Sequence, residues 1–134
     1  MKQSQFQFSK PTIENINYKI INIDIETIKQ NKAIPVKTTV DVKKSESENK
    51  AIVKLNFYAQ NTDSFPFYID ITMSSQILWE TADNTNFIDN ILNYNVPAMI
   101  LSYMRPIISS ITSHSDYNSF DIPFLDLRKG CSDK

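Results

Sequence analysis

One glycine, one cysteine and one histidine occur among 134 residues, and each scarcity removes a class of function. With a single glycine, neither a G-x-G-x-x-G turn nor a P-loop can be written, so phosphate-cradling loops are excluded. Cys131 has no second cysteine to pair with inside the chain, so nothing points to an oxidising compartment. It lies in a polar tail and reads as incidental rather than reactive. His114 sits in the polar stretch SHSD with no nucleophile motif beside it. Together with Asp116 it offers two weak ligands, which do not make a metal site. Asp24, Glu26 and Glu14 read as solvated strand or loop charges, not as an acid/base pair. The residues therefore predict no enzyme, no metal and no cofactor.

Other things are missing too. No stretch of 18 apolar residues runs without polar interruption, and MKQSQFQFSK has no apolar h-region. The expectation is a soluble cytoplasmic protein with no signal peptide and no membrane insertion. The formal net charge is -1, which argues against a nucleic-acid partner, since such proteins carry a strong basic patch.

What is present is enough apolar material for a core. Hydrophobic residues make up 41% of the chain, so one packed domain over 1–134 is expected, with a mobile tail from about residue 128. Alternation marks the strands. Phe6 and Phe8 share one phase, and so do Ile16, Tyr18 and Ile20. Ile21, Ile23 and Ile25 take the opposite phase, which suggests a bulge or a change of buried face within one long, interrupted first strand. Residues 26–34 read as a crossover loop. Val36 to Lys43, Ala51 to Tyr58 and Phe65 to Met73 give three further strands, joined by the polar turns 43–50 and 60–64. Short turns between consecutive strands predict an antiparallel meander. Residues 74–84 read as transitional.

The organising element is the stretch NYNVPAMILSYMRPIISSIT, residues 93–112. Phe87, Ile88, Ile91 and Leu92 start a helix near Thr85, with Asn84 or Thr85 as its cap. Pro97 predicts a break and a restart, with Asn95 as the second cap. Met99, Ile100, Tyr103, Met104, Ile107, Ile108 and Ile111 then form a wide apolar face, and Pro106 should kink or weaken it. Four antiparallel strands with one long, proline-interrupted helix on one face describe an α+β fold. The apolar face is wider than one sheet would cover. The surplus on Ile100, Ile107 and Ile111 predicts a homo-oligomer, a dimer or a tetramer.

The run Val96-Pro97-Ala98-Met99-Ile100-Leu101-Ser102-Tyr103-Met104-Arg105, followed by Ile108-Ser109-Ser110, resembles the main helix of the SecB export chaperones. There the pattern is a Pro, apolar residues, Tyr-x-Arg, then Ile-Ser/Thr-Ser. Phe6-Gln7-Phe8, Pro35-Val36-Lys37, Phe67-Tyr68-Ile69-Asp70-Ile71 and the apolar segment Phe120 to Leu127 also fall where similar residues occur in that family. The resemblance covers about residues 5–127. It implies an ATP-independent holdase linked to protein export, which binds unfolded or extended polypeptide in an apolar groove beside the main helix. It implies a tetramer built as a dimer of dimers. By the same carry-over, Tyr94, Met99, Tyr103, Met104 and Ile108 are polypeptide-binding or subunit-interface candidates.

The chain departs from the family pattern in three ways. The family's second long helix is missing or reduced. Of the acidic positions on the outer sheet face that meet the SecA motor, Asp70 matches, but Asn15 and Lys19 stand where acids are expected, which weakens charge complementarity. Ser74-Ser75 replaces a Gly-rich strand end, and a helix proline has moved to Pro106. The alternative reading is a SecB-fold interaction protein dedicated to one partner, such as a toxin–antitoxin chaperone, without general holdase activity.

Overall fold

The computed structural model describes residues 6–23, 36–80 and 85–123. It contains one antiparallel sheet of β1 (Phe6–Phe8), β2 (Thr12–Ile20), β3 (Val36–Lys44), β4 (Lys50–Ala59) and β5 (Phe67–Trp79). The expected meander is present as β3-β4-β5, and both β1 and β2 lie along the far edge of β5. The architecture is therefore the α+β one expected, with five strands in place of four.

The extra strand comes from a cut in the first one. Pro11 has no amide to give to the ladder, and the chain breaks between Phe8 and Thr12. Ser9 bridges the gap. Its amide donates to the Gln76 carbonyl at 2.9 Å, its hydroxyl accepts from the Gln76 amide at 2.8 Å, and its carbonyl accepts from the Ser75 hydroxyl at 2.7 Å. The register shift sits between Ile13 and Asn15, not after Ile20 as the phase flip suggests. Ile13 and Ile16 are three residues apart, so only a bulge at Glu14 leaves both on one face. The predicted crossover at 26–34 and the tail beyond Pro123 lie outside the described residues.

β5 is also longer than expected. It continues through the transitional stretch to Trp79, because Ser75, Ile77 and Trp79 keep the buried phase of Met73. The two serines open the stretch that reads as transitional, yet Ser75 fits a close-packed inner position and is only 2% exposed.

The helical part starts at Thr85 as expected. It comprises α1 (Thr85–Asn90), a π-helical turn (Ile91–Asn95) and α2 (Val96–Ser113). The break predicted at Asn95 does not occur. Asn95 keeps helical angles (φ -73, ψ -44) and its side chain caps nothing. The π turn gives the reason: the Val96 amide already reaches back five residues to the Ile91 carbonyl, so the missing donor of Pro97 falls where the ladder has shifted. α2 also runs through Pro106. The ring is exposed, and so is Ser102, whose carbonyl loses its partner and faces water instead.

α2 packs on β4 and β5. Val53, Leu55, Phe57, Ile69, Ile71 and Ile77 from the sheet meet Ile100, Met104 and Ile108 from the helix, all at 0% exposure. Removing each such side chain from water stabilises the fold by about 1.5–3 kcal/mol.

Candidate functional site

Pairing fixes which residues share the helix-side face of the sheet. Ile13 lies opposite Met73, Ile16 opposite Ile71, Tyr18 opposite Ile69 and Ile20 opposite Phe67. Phe6 lies opposite Trp79 and Phe8 opposite Ile77. All these β5 residues are buried beneath the helical layer, so the apolar face continues across β1 and β2. Among the described residues, the helical cover does not follow it. Phe8, Ile13, Ile16 and Ile20 are 46%, 45%, 41% and 41% exposed. Four large apolar side chains thus form a bare row along the sheet edge. So much exposed apolar side chain along one edge of a small domain makes it a candidate contact surface.

The helix carries a second bare stripe. Met99, Tyr103 and Ile107 are spaced by four and lie on one flank of α2. Tyr103 is exposed, while Met99 and Ile107 are half-buried against the core. The opposite flank is closed by the chain that follows the helix. Arg105 donates to the carbonyls of Ile122 and Pro123, and the Thr112 hydroxyl accepts the Phe120 amide at 2.8 Å. Phe120 then fills the space between Phe57 and Phe65.

Tyr18 stands in the middle of the edge row. Its ring stacks on Phe67 at 6.1 Å, and its buried hydroxyl has no hydrogen-bond partner. Burial pushes that phenol above its ordinary pKa. Tyr117 packs edge-on against the other side of this cluster, 6.2 Å from Phe67.

The residues singled out in the sequence divide sharply. Tyr94 and Tyr103 are exposed and Met99 is half-buried, so all three offer surface. Met104 and Ile108 have 0% exposure and point into the sheet. They are core, and so is Ile100; of the surplus face only Ile107 and Ile111 remain half-buried. Asp70 lies on the other side of the sheet, where it accepts a 2.7 Å hydrogen bond from Asn56. Phe8, Ile16 and Ile20 of this row were visible as alternation in the sequence, Ile13 was not, and nothing there marked their exposure.

The chemistry of the arrangement is apolar contact. Among the described residues no group of three metal-ligating side chains comes together, and no helix is long and apolar enough to cross a membrane. His114 caps the end of α2 and is exposed.

Among solved structures the chain is similar to the Mycobacterium tuberculosis Rv1957 SecB-like chaperone in complex with a ChAD peptide from the Rv1956 HigA1 antitoxin. The TM-score is 0.73 at 7% identity, over 90% of this chain and 91% of that one. The fold is SecB-like. A protein of unknown function from Streptococcus agalactiae is also similar, with a TM-score of 0.50 at 13% identity over 89% of this chain and 97% of that one. No protein-family model matches the chain, and no curated protein matches it. At such low identities the likeness is one of fold.

Proposed function

We propose that this SecB-fold chain is an ATP-independent polypeptide-binding chaperone that holds unfolded or extended segments and performs no catalysis. The observation that carries this reading is the bare apolar row Phe8, Ile13, Ile16 and Ile20 on the helix side of the sheet edge. Among the described residues β2 pairs only with β5, so its outer edge keeps unpaired backbone donors and acceptors. An extended client would hydrogen-bond to that edge and lay alternate side chains on the row. Tyr94, Met99 and Tyr103 would add contacts from the helical layer. The same surface suits a homo-oligomer, a dimer or tetramer, so clients and subunits would compete for it. A cytoplasmic setting and a link to export belong to this reading, while Asn15 and Lys19 in place of acids argue against a SecA-type motor as that link.

The test is suppression of aggregation when a denatured client is diluted, without ATP, at near-stoichiometric protein. Suppression that weakens in Ile16→Ser supports the proposal. A folded protein that neither suppresses aggregation nor binds an unfolded client would sink it.

A second reading is favoured by one observation: the structural neighbour holds a peptide from one antitoxin. In that case the apolar row serves a single dedicated segment. Binding to that segment, with indifference to unrelated unfolded chains, distinguishes this reading from a general holdase.

A further inference from the structure

The face of the sheet turned away from α2 carries a different surface. By register it displays Lys37, Asp41 and Lys43 from β3, Lys50 and Lys54 from β4, Asp70 from β5, and Lys19 beside the bulged Glu14 from β2. Lysine therefore outnumbers carboxylate there, although the whole chain has a formal net charge of -1. Lys54 is paired with Glu14 at 3.1 Å, and Lys19 lies over the Tyr68 ring at 5.7 Å.

At one end of this face the lysines surround apolar surface. Ile52 and Leu78 are 44% and 42% exposed. Lys50 pairs with Leu78 and Ile52 with Gln76, so the two aliphatic side chains are diagonal neighbours on the central strands. Lys43 pairs directly with Ile52 on the other side. A hollow of about 220 Å³ lies here, lined by Lys43, Lys44, Lys50, Ile52 and Gln76 among others, with no carboxylate in its wall. The hairpin between β3 and β4 sorts the charges. Glu46 and Glu48 border a separate hollow against Trp79 and Ile88, on the helix side. Lys44 reaches Asp89 at 2.8 Å and Lys50 reaches Glu48 at 2.9 Å, in both cases an exposed pair. Among the described residues Lys43 has no carboxylate within ion-pair distance.

We propose that this end of the outer sheet face docks an acidic segment of a partner protein, with one apolar side chain of that segment seated on Ile52 in the hollow beside Lys43. The size of the hollow argues for the side chain: sites that enclose a small molecule run from about 300 Å³ upward. The charge argues for a carboxylate flanking it, because Lys43 borders the hollow without an ion-pair partner among the described residues, while Lys44 and Lys50 are held only in exposed pairs that an acidic segment can compete for. Nucleic acid fits poorly, since a single strand needs aromatic side chains to stack on and this end presents aliphatic ones. The site lies on the opposite side of the sheet from the apolar edge row, so it works independently of client binding.

The test uses the whole chain and a labelled twelve-residue peptide in which one leucine is flanked by aspartates. Fluorescence anisotropy reads affinity, and amide NMR shifts locate the site. Saturable binding with shifts centred on Lys43, Ile52 and Gln76 is expected. Replacing the peptide leucine by serine, or making Ile52→Asp or Lys43→Glu in the protein, should each weaken it about tenfold or more. Circular dichroism checks that both variants fold. Three outcomes overturn the proposal: no binding, equal binding by the two variants, or a poly-dT strand binding the same residues as tightly as the peptide. Aggregation suppression by Ile52→Asp should match the parent, which separates failure here from failure of the holdase reading.

Discussion

The Tyr117 hydroxyl accepts the Ile23 amide at 3.0 Å and donates back to the Ile23 carbonyl at 3.1 Å, joining the end of the sheet edge to the chain that follows α2. One side chain thereby satisfies both backbone groups of a residue that has left the strand. Each such hydrogen bond contributes about 0.5–1.5 kcal/mol net, and losing the phenol leaves two backbone groups to find other partners. Tyr117→Phe should therefore lower stability by about 1–3 kcal/mol, read as a lower urea midpoint with an unchanged slope. An unchanged midpoint would mean that water replaces the phenol at no cost.

The exposures of the helix residues separate stability from binding. Met104→Ala and Ile108→Ala open cavities in a close-packed core and should each cost about 2–5 kcal/mol. Tyr103→Ala removes a 45% exposed ring and should change stability by about 0.5 kcal/mol or less. Ile16→Ser should behave in the same way. If the holdase reading is right, Tyr103→Ala and Ile16→Ser lose client affinity at full stability, while the two core variants lose stability first. Thermal melts alongside client titrations decide it. A core variant that is stable but fails to bind would reverse the assignment.

These residues also show how far the sequence could be read. Period-2 alternation located β3 and β4 closely because each has one buried and one wet face, the pattern that a half-covered strand imprints. β5 was cut short at Met73 because the apolar alternation stops at Ser74 and Ser75, while the burial of Ser75 depends on the strands beside it. The helix positions at 100, 104 and 108 read correctly as apolar face. Whether they met the sheet or a client depended on how far round the helix the sheet reached, which is a tertiary fact. The exposure of the edge row was illegible for the same reason. Ile13, Ile16 and Ile20 look like ordinary core residues until the width of the helical layer is known. The π turn had no sequence signal at all: Pro97 licenses either a restart or a shifted ladder.

The buried hydroxyl of Tyr18 makes a prediction of the opposite sign. It has no hydrogen-bond partner, and an unsatisfied buried hydroxyl costs about 1–3 kcal/mol. Tyr18→Phe keeps the ring stacked on Phe67 and removes that cost. The variant should be as stable as the parent or more stable by about 1 kcal/mol, measured by chemical denaturation. A destabilised variant would show that the hydroxyl is solvated or bonded in solution. A parent phenol titrating above the ordinary tyrosine range, followed by ultraviolet absorbance, is the companion observation, since burial raises its pKa.

Glu14 occupies the bulge, and its carboxyl is held below its ordinary pKa of 4.5 by the Ser74 hydroxyl first and the Lys54 ammonium second. A carboxyl whose pKa is lower folded than unfolded adds stability above the unfolded value and loses it as pH falls through the folded value. The parent should thus be more stable than Glu14→Gln at pH 7, with the difference shrinking from about pH 4.5 downward. Its side chain is 37% exposed, so solvent screens the pair and the difference should stay near ~0.5 kcal/mol. Added salt should reduce the Lys54 share and leave the Ser74 share. Urea titrations of both proteins at pH 7 and pH 3 give the answer. A gap that widens on acidification would mean that the bulge holds Glu14 protonated, and that the Ser74 and Lys54 contacts do not form in solution.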